Sequence, residues 1–182
     1  MTDTQPASVY DLAHDVEPEM SATFAILVDN EPGVLHRLVG LFAARGYNIE
    51  SLTVAETDRN AHTSRVTIVT RGTPHVLAQI EAQLEKMVST RHVQDVTKDP
   101  NGLQRELALV KVKGTGVERV EALRVSDIFR AKVIDTTHES FVFELTGAPS
   151  KIDRFEDLLR PLGLVEVSRT GVLSIQRGVE AL

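Results

Sequence analysis

The chain has 182 residues, 42% hydrophobic and only 4% aromatic, with a formal net charge of −6 and neither cysteine nor tryptophan. That length suits one ordinary domain or two small ones, with a core built from Val, Leu, Ile and Ala. The composition excludes disulfides, thiolate metal sites and cysteine nucleophiles, and no run approaches the roughly 18 apolar residues of a membrane helix.

The charge is unevenly spread. Residues 1–20 hold Asp3, Asp11, Asp15, Glu17 and Glu19 with no Lys or Arg, which leaves residues 21–182 at −1. Residues 1–21 are expected to be an acidic, disordered extension. They lack the basic and apolar regions of a signal peptide, so a soluble cytoplasmic protein is expected. The nearly neutral body is a poor partner for a phosphate backbone.

From Thr23 onward the chain alternates strand and helix. "TFAILVD" is apolar on both faces, as a central strand is. From Gly33 to Arg45, Val34, Leu35, Leu38, Val39, Leu41 and Phe42 recur at helical spacing, and Gly46 stands at the stop. "YNIESLTVAET" follows as a strand and turns through "DRNAH" into "TSRVTIVTRG", a hairpin. Thr73 and Pro74 start a second helix with Val76, Leu77, Ile80, Leu84 and Met87 on its apolar side. "RHVQDVTK" closes the unit as a strand, and "DPNG" breaks the chain.

The second half repeats the order. "LQRELALVKVKG" is a long strand, and Val117 to Phe129 a helix whose expected buried positions are Val117, Val120, Leu123, Ile128 and Phe129. "AKVIDTT" and "SFVFELTG" form a hairpin pair. "APSKIDRFEDLLRPLG" is a helix, with Ser150 as cap, Asp153 in the first turn and Ile152, Phe155, Leu159 and Leu162 facing one way. "LVEVSRTGVLSIQRG" supplies one or two last strands.

A βαββαβ order folds as a four-stranded antiparallel sheet with two helices on one face. The predicted fold class is therefore α+β, two tandem ferredoxin-like units over residues 22–99 and 100–182. A sheet covered on one side leaves a face and two edges in need of a partner, either the other unit or a second chain. The pattern predicts a homodimer.

The stretch "DNEPGVL" is the most site-like in the chain. Gly33 permits a positive φ or a close approach by a ligand. The amides of Gly33, Val34 and Leu35 fall in the first helical turn, where they lack intrahelical partners and suit a carboxylate. Asn30 offers both donor and acceptor to a zwitterion. Asn48 opens the next strand and is expected at the same end of the sheet, and Val34, Leu35 and Ile49 would wall a pocket for a short branched side chain. From spacing alone the plainer account is the stronger one: Asn30 a cap, Gly33 turn chemistry, Asn48 an Asx-turn.

"LVDNEPGVLHRLVGLFAARGYNIESLTVAETD" closely resembles the start of the regulatory (small) subunits of acetolactate synthase, also called acetohydroxyacid synthase. "SRVTIVTRG", "QIEAQLEKMVSTRHVQDV", "RELALVKV", "IFRAKVIDTT" and "VEVSRTGVLSIQRG" extend the likeness over about residues 22–178. The resemblance implies an amino-acid-binding ACT domain followed by a smaller ACT-like domain. It implies a non-catalytic subunit without cofactors of its own, partnered with a large subunit carrying thiamine diphosphate, Mg²⁺ and FAD. That large subunit opens valine, leucine and isoleucine synthesis, and the small subunit raises its activity and makes it sensitive to valine. The family's effector positions fall on Asn30, Gly33 and Asn48. Pro32 departs from the small polar residues frequent in relatives, which stiffens the turn.

Rival chemistry finds less support. The histidines, at 14, 36, 62, 75, 92 and 138, show no close helical spacing of a zinc site. No G-x-S-x-G elbow accompanies Ser64 or Ser140. "KGTGVE" at Gly114 and Gly116 lacks the third glycine of a dinucleotide loop and fits a tight strand-to-helix turn. RNA-recognition domains share the strand order, but "SRVTIVTRG" has no aromatic on which to stack a base. A free-standing amino-acid sensor acting on another enzyme or a transcription factor is the alternative that keeps the same pocket.

Overall fold

The computed structural model describes residues 17–58 and 60–179. The first unit runs β1 (Met20–Asp29), α1 (Val34–Arg45), β2 (Ile49–Asp58), β3 (Thr63–Gly72), α2 (Pro74–Glu85) and β4 (Thr90–Asp95). Residues 1–16 of the expected extension lie outside the described residues. Its last two residues, Met20 and Ser21, already pair with Gly72 and Arg71 in the sheet.

The elements start and stop for local reasons. Gly46 takes a left-handed conformation (φ 69°) and its amide closes on the carbonyls of Ala43 and Phe42, ending α1. Thr73 caps α2 by accepting from the Val76 amide, with Pro74 at the first helical position. The strands associate antiparallel in the order β2-β3-β1-β4. Phe24, Ile26 and Val28 of β1 meet Leu38 and Phe42 of α1 and Leu77, Ile80 and Leu84 of α2 in one core. Burial of each such side chain contributes on the order of 1.5–3 kcal/mol.

The second unit comprises β5 (Gly102–Lys113), α3 (Gly116–Phe129), β6 (Lys132–Thr136), β7 (Ser140–Gly147), α4 (Pro149–Leu159), β8 (Leu164–Arg169) and β9 (Leu173–Gln176). Its sheet has the order β6-β7-β5-β8. The two final strands divide their work: β8 completes the sheet, while β9 pairs with the first four residues of β5 as a two-stranded ribbon. Phe143, Phe155 and Phe129 stack through the core, with centroids 6.1 and 5.2 Å apart along that path.

Two expectations for this unit need correction. On α3 the buried residues are Ala122, Val125 and Ser126, whereas Val117, Val120 and Ile128 are exposed at 85%, 64% and 69%. Leu123 and Phe129 do pack against the core. Arg119 on this helix stacks over the Phe141 ring, 3.8 Å from its centroid, so a cation–π contact holds part of the inward side. On α4 the cap position is Ala148, with Ser150 already inside the helix, and Asp153 is past the first turn.

The face of the first sheet opposite its helices is covered by the second unit. Thr23, Ala25 and Thr67 on that face are 1–3% exposed. The β9 strand and the residue before it reach this face: Arg65 donates Nη1 to the Ser174 carbonyl at 2.9 Å and Thr53 donates Oγ1 to the Val172 carbonyl at 3.0 Å.

Candidate effector site

The turn after β1 is clamped from three sides. The Asn30 amide donates to the His62 carbonyl at 2.7 Å in the β2–β3 hairpin, and the Asp29 amide to the Ser89 carbonyl at 2.9 Å. The Asp29 carboxylate accepts from Arg91 Nε at 2.6 Å, and Arg91 Nη2 reaches the Ala61 carbonyl. Glu31 pairs with Arg37 one turn into α1. Gly33 then takes φ 85°, a left-handed conformation that costs a residue with a Cβ about 1 kcal/mol or more.

This geometry leaves specific donors open. The Val34 amide is taken by the Glu31 carbonyl at 3.3 Å, so it is not one of the free donors expected from the sequence. Among the described residues, the amides of Gly33, Leu35 and His36 donate to no backbone carbonyl. They stand at the positive end of α1, where a carboxylate is favoured. Asn30 Nδ2 lies 3.3 Å from Glu56 Oε1 on β2, which fixes the carboxamide and brings a carboxylate beside the turn. The sequence reading missed Glu56. The period-two alternation Leu52, Val54, Glu56 places it on the helix side of the sheet, a signal present in "SLTVAE".

The apolar lining differs from expectation. Val34 is turned into the core, 8% exposed, and does not wall an open pocket. Leu35 and Val39 on α1 and Val54 on β2 stay 37–47% exposed on the helix side. Ile49 packs partly against the core. Asn30, Gly33 and Asn48 are all exposed, so the amide end is open to solvent.

Asn48 is not at the end of the sheet where the sequence reading put it. Ile49 pairs with Thr70 and Thr70 with Ala22, near the start of β1. Asp29, at the finish of β1, pairs with Thr63, which pairs with Asp58 at the finish of β2. The strand leaving a helical crossover runs parallel to the strand that entered it, so β2 begins at the far end. Seven residues at about 3.3 Å each separate the two ends, about 23 Å. One chain therefore holds Asn30 and Gly33 at one end of the sheet and Asn48 and Ile49 at the other. Beyond β2 no further strand is paired among the described residues.

Two tandem βαββαβ units, the first with open helix-start amides beside paired carboxamide and carboxylate groups, define an ACT-domain protein. Residues 24–92 match the model of the acetohydroxyacid synthase small-subunit-like ACT domain, and residues 105–178 that of the small subunit of acetolactate synthase. The chain belongs to the acetolactate synthase small-subunit family. It is 43% identical over 159 residues to a probable acetolactate synthase small subunit of Archaeoglobus fulgidus, covering 87% of this chain and 98% of that one. It is 42% identical over 160 residues to the isozyme 3 small subunit of Escherichia coli, covering 87% and 97%. The crystal structure of the Thermotoga maritima acetolactate synthase small subunit superposes with a TM-score of 0.76 at 36% identity, over 88% of this chain and 99% of that one.

Among the described residues no group of three or more His, Cys, Asp or Glu side chains could hold a metal ion, and no helix is long and apolar enough to cross a membrane.

Proposed function

We propose that this chain is a cytoplasmic regulatory subunit that activates the thiamine-diphosphate-dependent large subunit of acetolactate synthase and makes it sensitive to valine. Thiamine diphosphate, Mg²⁺ and FAD belong on that large subunit, and this chain contributes regulation only. Two copies pair side by side through the free edge of β2. In a two-fold antiparallel pairing the head of one β2 lies against the tail of the other. Asn48 and Ile49 of the second copy then arrive beside Asn30, Gly33 and Glu56 of the first. The valine carboxylate takes the open amides of Gly33 and Leu35. Its ammonium takes the carboxamides and Glu56, and its isopropyl group lies against Leu35 and Val54. The free donors at the start of α1 next to the Asn30–Glu56 pair carry this reading.

Effector binding shifts activity only by the difference in its affinity for two arrangements of the complex, typically about 1–3 kcal/mol of coupling. The test is calorimetry with L-valine on the isolated protein, alongside inhibition of the reconstituted enzyme. Asn30→Ala and Asn48→Ala are expected to weaken binding and inhibition while leaving activation in place. Gly33→Asp does so more severely, because its carboxylate occupies the place of the ligand's. Wild-type inhibition curves in both asparagine variants would rule the pocket out.

A further inference from the structure

β2 faces two ways. Val54 and Glu56 point to the helix side, where the effector site is built, and Ser51 and Thr53 point to the other side, where the second unit lies. The contact there is reciprocal. Thr53 Oγ1 donates to the Val172 carbonyl at 3.0 Å, and the Val172 amide donates to Ser51 Oγ at 3.1 Å. Gly171 sits directly over both residues at φ 85°, and a Cβ there would stand 2.5 Å from Ser51 Oγ and 3.0 Å from Thr53 Cγ2. A side chain at residue 171 would be strained in its backbone and would push the two units apart.

The segment that makes this contact has little slack behind it. Two residues upstream, Arg169 holds Glu106 of β5 with Nε at 2.9 Å and Nη2 at 2.6 Å, and Asp153 and Glu156 of α4 with Nη1 at 2.7 and 3.1 Å. Between them, the Thr170 amide donates to the Leu107 carbonyl at 3.0 Å, and Thr170 Oγ1 accepts from the Leu107 amide at 3.2 Å. Residues 169–172 thus form a short strut. One end is fixed to β5 and α4 by charge, and the other to β2 by hydrogen bonds between the Val172 backbone and the Ser51 and Thr53 hydroxyls and by close approach. On the neighbouring strand, half-buried Arg65 makes a further tie to the Ser174 carbonyl.

We propose that this strut is the joint through which effector occupancy is transmitted to the second unit. The inference rests on the reading that β2 lies at the seam between two copies and bears effector residues. A ligand that moves β2 relative to the seam must either carry residues 169–172 with it, displacing α4 and β5, or break the Ser51 and Thr53 contacts. Such an element couples two sites because both bias its position, which is the physical requirement for linkage between them.

The test uses the full chain, alone and reconstituted with the catalytic large subunit. The double variant Ser51→Ala/Thr53→Val removes both hydrogen bonds with little change of volume, and Gly171→Ala forces the units apart. L-valine binding to the isolated chain is measured by calorimetry, and activation and valine inhibition are measured in the complex. The joint predicts a dissociation constant within about twofold of wild type, activation retained, and inhibition weakened by about tenfold or more, within the span of ordinary coupling. The double variant decides the matter should Gly171→Ala fail to fold. Unchanged inhibition with unchanged binding overturns the joint alone, and so does binding lost in step with inhibition, which would place these residues in the pocket. A wild-type chain that takes up no valine overturns the effector reading instead, and the joint with it.

Discussion

Asn30 and Asn48 occupy opposite ends of one sheet, seven residue steps along β1 apart. A ligand that touches both carboxamides therefore draws them from two chains. This makes a complementation experiment decisive. Mixing Asn30→Ala chains with Asn48→Ala chains gives heterodimers in which one site carries both lesions and the other carries none. Such heterodimers are expected to bind valine at half the wild-type stoichiometry with wild-type affinity, whereas each parent homodimer binds weakly at both sites. Sites contained within single chains would give no intact site in the mixture, and titration calorimetry on purified heterodimer separates the two outcomes.

Gly33 separates backbone strain from ligand chemistry. A Cβ at this position meets nothing within 4 Å, so the cost of Gly33→Ala is the left-handed φ alone, about 1 kcal/mol. Urea unfolding is expected to show that loss with an unchanged slope. Gly33→Asp, at similar stability, is expected to lose far more valine sensitivity than Gly33→Ala. Equal loss of sensitivity would assign the effect to the turn's shape and not to charge.

Arg169 is expected to be the most costly single polar residue to lose in the second unit. Its guanidinium is held charged even more firmly than usual, chiefly by its hydrogen bonds to Glu106. Glu106 is buried, and truncating its partner leaves a carboxylate without compensation, a loss on the order of 3–5 kcal/mol. Arg169→Met is predicted to lower the second unit's stability by that amount. Adding Glu106→Gln should recover a large part of it, because a neutral amide is cheaper to leave buried. A double variant no more stable than Arg169→Met alone would show that the loss comes from packing or from Asp153 and Glu156. Thermal unfolding of the three variants gives the comparison.

Lys98 lends the first unit an alkaline dependence. Its ammonium is held above its ordinary pKa of 10.5, first by hydrogen bonding to Asp95 and then, against some desolvation, by Glu81. A raised folded-state value means that the contribution is complete below about pH 10.5 and disappears as pH rises through the folded value. Lys98→Met is thus expected to unfold at a slightly lower temperature than wild type near neutral pH and to converge with it in strong alkali. The side chain is mostly exposed, so the difference should be small and should shrink in added salt. A gap that widens with pH would refute the sign.

Period and punctuation in the sequence were enough to determine the order of elements. The continuous apolar run of "TFAILVD", alternation in "SFVFELTG", helical spacing in α1, α2 and α4, and the stops at Gly46 and "DPNG" each express a local preference that the tertiary structure had no cause to override. The turn after β1 was legible as the start of a helix for the same reason, although the Val34 amide, expected to be open, is taken by the Glu31 carbonyl. Packing settled what local preference left undetermined. α3 has so little contrast between its faces that the sheet and the Arg119–Phe141 contact chose which side to bury, turning Ala122, Val125 and Ser126 inward and leaving Val117, Val120 and Ile128 in solvent. Strand direction put Asn48 at the far end from Asn30, and alternation across the pleat delivered Glu56 to the turn. The link from β2 to Val172 joins positions about 120 residues apart in the chain, and only the folded arrangement of two units brings them within hydrogen-bonding distance.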